Sequence, residues 1–125
     1  MTTEKNINFE QFPVAGIRLG VACAGIKKEN HQDLVLIELS EGTQTAAVFT
    51  LNAFCAAPVL ISKKHLLETQ PRYLLINTGN ANAGTGEQGI KDALTCCDLV
   101  ANITGSKSFE VLPFSTGVIG EYLPV

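Results

Sequence analysis

Apolar residues in this chain gather into blocks separated by short polar or glycine-bearing stretches, and the rhythm inside each block separates strand from helix. Asp33-Leu34-Val35-Leu36-Ile37-Glu38-Leu39 is almost continuously apolar, the pattern of a strand buried on both faces. Ser40-Glu41-Gly42-Thr43 supplies turn chemistry. Thr45-Ala46-Ala47-Val48-Phe49-Thr50-Leu51 then reads as a second strand, so the pair predicts a hairpin. Phe12 to Ile26 is also apolar, but Gly16, Gly20 and Gly25 break it into irregular chain or short bent strands. Pro58-Val59-Leu60-Ile61 is a short apolar segment. Ser62 is placed as an N-cap, and residues 63–70 predict a short helix closed by Pro71.

Tyr73-Leu74-Leu75-Ile76-Asn77 predicts a further strand, followed by the long polar loop TGNANAGTGEQG. Beyond it Ile90, Ala93, Leu94, Cys97, Val100 and Ile103 recur at spacings of three and four, which places them on one face of a helix. Thr85-Gly86-Glu87-Gln88 matches a capping box at its start, and Gly105 suits a left-handed residue at its end. A last strand is expected from Phe109 to Phe114. Strand, loop, helix and strand form a βαβ-like unit, so a mixed α/β fold is expected. Residues 1–11 form a polar N-terminal arm and 12–125 a single α/β domain. No internal repeat or linker is visible.

Composition narrows the functions open to such a domain. The chain has 125 residues, enough for one domain that buries roughly two-thirds of the surface of its unfolded chain. Hydrophobic residues are 46% and charged residues 17%, a balance that leaves room for an apolar face against a partner subunit. A net charge of −3, with no basic run longer than Lys27-Lys28 or Lys63-Lys64, argues against nucleic acid as a partner. The polar start carries no signal-peptide core, and no apolar run nears the ~20 residues of a membrane span; a cytoplasmic location is expected. Cys23, Cys55, Cys96 and Cys97 show no C-x-x-C pair and no zinc spacing with His31 or His65. Buried free thiols are the plain reading of the cysteines, a lone reactive thiol the alternative. Surface or capping roles suit the two histidines.

Three features carry candidate chemistry. Gly84-Thr85-Gly86-Glu87-Gln88-Gly89 spells G-x-G-x-x-G between a strand and a helix, the outline of a dinucleotide site. Six residues separate Asn77 from Gly84, however, where the true motif follows its strand directly, and the acidic residue ~20 positions on, Glu110, lies near the start of the next strand. A P-loop is excluded because no G-K-[ST] occurs. Asn77, Asn80 and Asn82 suit a rigid loop bonded to itself, or amides that hold a neighbouring active site. Phe114-Ser115-Thr116-Gly117-Val118-Ile119-Gly120 ends the last strand. There the Thr116 hydroxyl and the Gly117 N–H could form a pair of donors for a tetrahedral oxyanion, Gly117 letting a substrate approach the backbone. Taken alone, the stretch reads first as an ordinary turn capped by Ser115 or Thr116. No Ser or Cys nucleophile with a paired His accompanies it. Thr2, exposed by Met1 removal, lies in the arm with nothing to position it.

Four stretches taken in order change this picture: GIRLGVACAGIKKENHQDLVLIELS, AAVFTLNAFCAAPV, LINTGNANAGTGEQGIKDA and FSTGVIGEYLP. Together they resemble the N-terminal part of the ornithine acetyltransferase family, also called bifunctional glutamate N-acetyltransferase or ArgJ. The resemblance implies a mixed-sheet sandwich of the ornithine acetyltransferase / DmpA-like, N-terminal-nucleophile-like type. It implies an arginine-biosynthesis enzyme that moves acetyl from N-acetylornithine to glutamate. Many members also take acetyl from acetyl-CoA, so a co-substrate rather than a bound cofactor is expected, and no metal. In the family the precursor cuts itself before a Thr that becomes the nucleophile of the β chain, usually in an α₂β₂ assembly. The oxyanion hole of the family's S-T-G-V-I-G motif falls on Thr116 and Gly117. The cleavage motif, typically A-T-M-L, is absent, since Met1 is the only Met. The chain is therefore expected to supply the oxyanion hole without the nucleophile, to need its β chain, and to be inactive alone. The remaining alternatives are a non-catalytic nucleotide-binding module using GTGEQG and an inactive truncated homologue.

Overall fold

The computed structural model describes residues 13–125, so the predicted polar arm and Phe12 lie outside the described residues. Four strands and two helices follow one another: β1 (Ile17–Ala22), β2 (Leu34–Leu39), α1 (Ala57–Glu68), β3 (Tyr73–Asn77), α2 (Gly86–Thr104) and β4 (Val111–Ser115). The strands form one mixed sheet in the order β1-β2-β3-β4. β1 and β3 run antiparallel to β2, and β4 runs parallel to β3. The β3–α2–β4 crossover is the predicted βαβ unit.

Register assigns the side chains to two faces, since directly paired residues share a face. Tyr73 pairs with Glu38 and Val111, and Leu75 with Leu36 and Pro113. This face meets the helices. Ile61 of α1 and Ala93, Cys97 and Val100 of α2 close with Tyr73 and Val111 into the core, with Leu36 and Leu75 packed against it. Burying a residue such as Val111, which has no exposed surface, contributes roughly 1.5–3 kcal/mol. The opposite face is apolar as well: Leu19, Val21, Val35, Ile37, Leu74 and Ile76 share it. Leu19 and Val21 are exposed and the other four half-buried. β2 is thus covered by helices on one side only, where its unbroken apolar run predicts burial on both.

Further expectations are corrected. Residues 45–51 form no strand, and β2 pairs instead with β1, which runs straight through Gly20. The 45–51 backbone lies beside α1, held where Thr45 N–H donates to the Gln70 side chain (2.7 Å) and the Lys63 ammonium sits over the Phe49 ring. Helix α1 starts at Ala57, because Pro58 fits a first turn whose N–H groups have no helical partner. Ser62 is accordingly inside the helix, buried, and donates its hydroxyl to the Pro113 carbonyl at 2.9 Å. His65 is buried rather than at the surface, its Nδ1 2.8 Å from the Val111 carbonyl. In α2 the helical face is as predicted except at Ile103, which is 84% exposed, and Gly105 ends the helix at φ +71°. Burial pushes the Cys97 thiol up to about 12 and raises that of Cys96; Cys23 is exposed.

Candidate active site

The C-terminal ends of the parallel pair β3 and β4 lie side by side, Asn77 opposite Ser115, and both chains break there into turns. The Ser115 hydroxyl donates to Asn77 Oδ1 at 2.5 Å. The turn after β4 is then sewn along the loop after β3. Thr116 N–H donates to the Asn77 carbonyl (3.1 Å), Val118 N–H to Gly79 (3.3 Å) and Gly120 N–H to Ala83 (2.8 Å), while Ala81 N–H donates to Val118 (2.9 Å). Neither the Gly117 N–H nor the Thr116 hydroxyl is taken up by a hydrogen bond among the described residues, and both residues are exposed. Two adjacent donors thus stand unused in a turn whose neighbouring N–H groups are bonded.

Gly117 is required by the packing of this turn. Its φ is +129°, and a Cβ placed on it would lie 2.4 Å from the Gly79 carbonyl carbon and 2.6 Å from Asn80 N. The missing side chain thus lets the turn approach the Gly79–Asn80 backbone.

The three asparagines form a buried network that explains why the loop is stiff. Asn77 Nδ2 donates to the Asn80 carbonyl (2.8 Å), and Asn82 N–H to Asn80 Oδ1 (2.8 Å). Asn82 Nδ2 donates to the Gly89 carbonyl (2.9 Å), and its Oδ1 accepts from the Thr85 hydroxyl (2.7 Å). Thr85 does stand at the start of α2, but its hydroxyl serves Asn82 and the predicted capping box is not made. The same bonds consume the G-x-G-x-x-G stretch. Gly84 is backed by the Phe54 ring, Gly86 faces open space, and a Cβ on Gly89 would meet Thr85 Oγ1 at 1.9 Å. Of the three, Gly89 is closed off by the loop itself and Gly84 by Phe54, which leaves Gly86 alone open.

Gly117 opens onto a cleft of about 390 Å³ lined also by Lys27, Lys28, His31, Asp33 and Thr78. Asp33 is not a free acid in this cleft. Its carboxylate accepts from Ala24 N–H (2.6 Å) and Ile26 N–H (2.8 Å), bonds that hold it below the usual carboxylate value. The Asp33 carbonyl accepts from Thr78 N–H (2.9 Å), which ties the β1–β2 loop to the end of β3. Lys27 donates to Glu121 at 2.7 Å, just beyond the turn. Sequence reasoning passes over Asp33 and Lys27. The signal present was Asp33 alone at the head of an apolar run, where a carboxylate needs local donors. No three His, Cys, Asp or Glu side chains converge as a metal site among the described residues, and none of their helices is long and apolar enough to cross a membrane.

Comparison with known proteins bears on the family and the fold. The arginine biosynthesis bifunctional protein ArgJ of Methylococcus capsulatus is 58% identical over 113 residues, 90% of this chain and 28% of that protein. The ArgJ of Neisseria meningitidis is 56% identical over 124 residues, 98% of this chain and 30% of that protein. The chain therefore spans a little over a quarter of the length of these relatives. The crystal structure of ArgJ from Bacillus halodurans superposes with a TM-score of 0.82 at 34% identity, covering 88% of this chain and 58% of that one. Ornithine acetyltransferase from Mycobacterium tuberculosis, solved in complex with ornithine, gives 0.75 at 37% identity, covering 88% and 60%. The ArgJ family pattern matches residues 18–125, the whole sheet and both turns of the site but for Ile17, and the chain belongs to the ArgJ family.

Proposed function

We propose that the chain is the N-terminal portion of an acetyltransferase of arginine biosynthesis, and that Thr116 and Gly117 are its oxyanion donors. In the complete protein a Thr at the N-terminus of a second chain, cut from the same precursor, attacks the acetyl carbonyl of N-acetylornithine. The carbonyl π electrons move onto oxygen, and the Thr116 hydroxyl and Gly117 N–H donate to that oxyanion. Its collapse expels the ornithine amine, which takes up a proton, and leaves an acetyl-enzyme. Glutamate then accepts the acetyl group through its amine to give N-acetylglutamate and restore the Thr. Acetyl-CoA serves the same site as an alternative acetyl donor and is not a bound cofactor.

The observation that carries this reading is a pair of adjacent donors left unbonded among the described residues, in a turn whose Thr116, Val118 and Gly120 N–H groups are all tied down. Donors carried on a turn held by such bonds need little reorganisation when charge develops on the carbonyl oxygen. The exposed apolar face of the sheet supports a β-chain partner in an α₂β₂ assembly, and soluble amino-acid substrates suit a cytoplasmic enzyme. Residues 12–125 would then act as one piece of the α chain, inactive alone. Thr116→Ala in the full-length protein should lower kcat by roughly 10²–10³ with little change in folding. An unchanged kcat would overturn the assignment.

A further inference from the structure

The turn that carries Thr116 and Gly117 has no core of its own. Thr116, Val118 and Gly120 are tied by their N–H groups to the β3–α2 loop, and one side chain in that loop reaches further. Asn80 is only 3% exposed. Its main chain bridges both Thr116 and Val118, one on each side of Gly117. Its amide nitrogen donates to the carbonyls of Glu121 (3.2 Å) and Tyr122 (3.0 Å), where the chain leaves the turn. Its amide oxygen accepts from Asn82 N–H at 2.8 Å, which fixes the orientation of the amide. Asn77 Nδ2, bonded to the Asn80 carbonyl at 2.8 Å, braces the residue from the strand end.

Every polar atom of the Asn80 side chain is therefore committed to main chain, and none faces the cleft as a donor to substrate. Its two donor bonds lie 41 and 42 residues away in sequence, on the segment just after the two oxyanion donors. A buried amide bonded this completely has one orientation. The backbone it holds inherits that rigidity.

We propose that Asn80 is a positioning residue for acetyl transfer. Its side chain locks the exit of the 116–120 turn, the Gly79 and Ala81 main chain on either side of it holds Val118 in the middle, and together they aim Thr116 and Gly117 at the developing oxyanion. The proposal rests on the assignment of Thr116 and Gly117 as those donors. Glutamine could not replace it, because an added methylene would push the amide past both carbonyls.

The test is a double-mutant cycle in the full-length protein, with N-acetylornithine and glutamate as substrates and kcat normalised to folded protein. Asn80→Asp keeps the acceptor for Asn82 N–H but sets an oxygen against two carbonyl oxygens. It should lower kcat roughly tenfold to a hundredfold, as misplacement of a catalytic group does, with KM within about threefold. In the Thr116→Ala background the same substitution should lower kcat no more than about twofold, because the geometry it supports is already lost. Equal fold-losses in both backgrounds, or an unchanged kcat in Asn80→Asp, would overturn the proposal while leaving the oxyanion assignment in place. A Thr116→Ala enzyme with wild-type kcat would overturn both, and so would identify the assignment as the fault. If Asn80→Asp does not accumulate as folded protein, Asn80→Ser, uncharged and too short to span both carbonyls, enters the cycle with the same outcomes.

Discussion

Residues 45–54 and 78–85 are both irregular connections, and their compositions point opposite to where they sit. The first is largely apolar, yet Val48 is 98% and Leu51 100% exposed. The second is made of Asn, Gly, Thr and Ala, yet Asn80, Asn82, Ala83 and Thr85 are buried. Hydropathy alone would exchange them. What decides is whether the backbone and side-chain polar groups can be satisfied without water. Each asparagine of the 78–85 loop finds partners within the loop or the adjoining turn, so it can be buried at little cost. The 45–54 backbone finds mostly local or exposed ones: Thr45 N–H donates to Gln70, Asn52 N–H to Thr50 Oγ1 and Phe54 N–H to Asn52 Oδ1, while the Thr50 and Asn52 carbonyls accept from Lys63 and Cys55. Among the described residues it has no neighbouring strand to complete a ladder.

The largest effect that bears on this contrast is expected at Asn82, fully buried and at φ +46°. Asn82→Ala orphans the Gly89 carbonyl and the Thr85 hydroxyl, and puts alanine in a left-handed conformation. A loss of about 3 kcal/mol is expected in urea unfolding followed by circular dichroism. A loss below about 1 kcal/mol would mean that the loop is not held by its side chains.

An intermediate effect is expected at Asp33, whose hydrogen bonds from Ala24 and Ile26 keep its carboxyl below its unfolded value. As pH falls, the unfolded chain takes up this proton first. The contribution to stability is therefore complete above about pH 5 and is lost as pH falls through the lowered native value. Stability measured from pH 6 to pH 2 should fall more steeply for the native chain than for Asp33→Asn. Parallel curves would remove Asp33 as the anchor of the 24–26 loop. The smallest effect is expected in the other loop. Val48→Ser should change stability by no more than about 0.5 kcal/mol, and a loss above about 1.5 kcal/mol by the same unfolding assay would show that this residue is packed after all.

The legible parts of the fold were those governed by local periodicity. The α2 face and its Gly105 ending follow from spacing, and β3 from a β-rich run between turn signals. The S-T-G-V-I-G and N-T-G-N-A-N-A stretches marked both halves of the site, although spacing could not say that one is folded onto the other. The hairpin was misplaced because residues 45–51 and 17–22 are equally apolar. Pairing with β2 is a choice made by tertiary geometry, which sequence period cannot see. His65 and Ser62 were misjudged for a related reason: polar side chains in a polar run look exposed until a strand edge arrives to accept their hydrogen bonds. Lys27 and Asp33 gave too little pattern to be singled out, since their roles depend on segments far away in sequence.

That strand edge has a consequence for how the sheet can grow. On the outer side of β4, the Val111 carbonyl is taken by His65 and the Pro113 carbonyl by Ser62, and Pro113 has no N–H to offer. Helix α1 thus blunts the β4 side against a neighbouring strand, whether from this protein or from another copy. Among the described residues, the edge left for a further strand is the one beside β1.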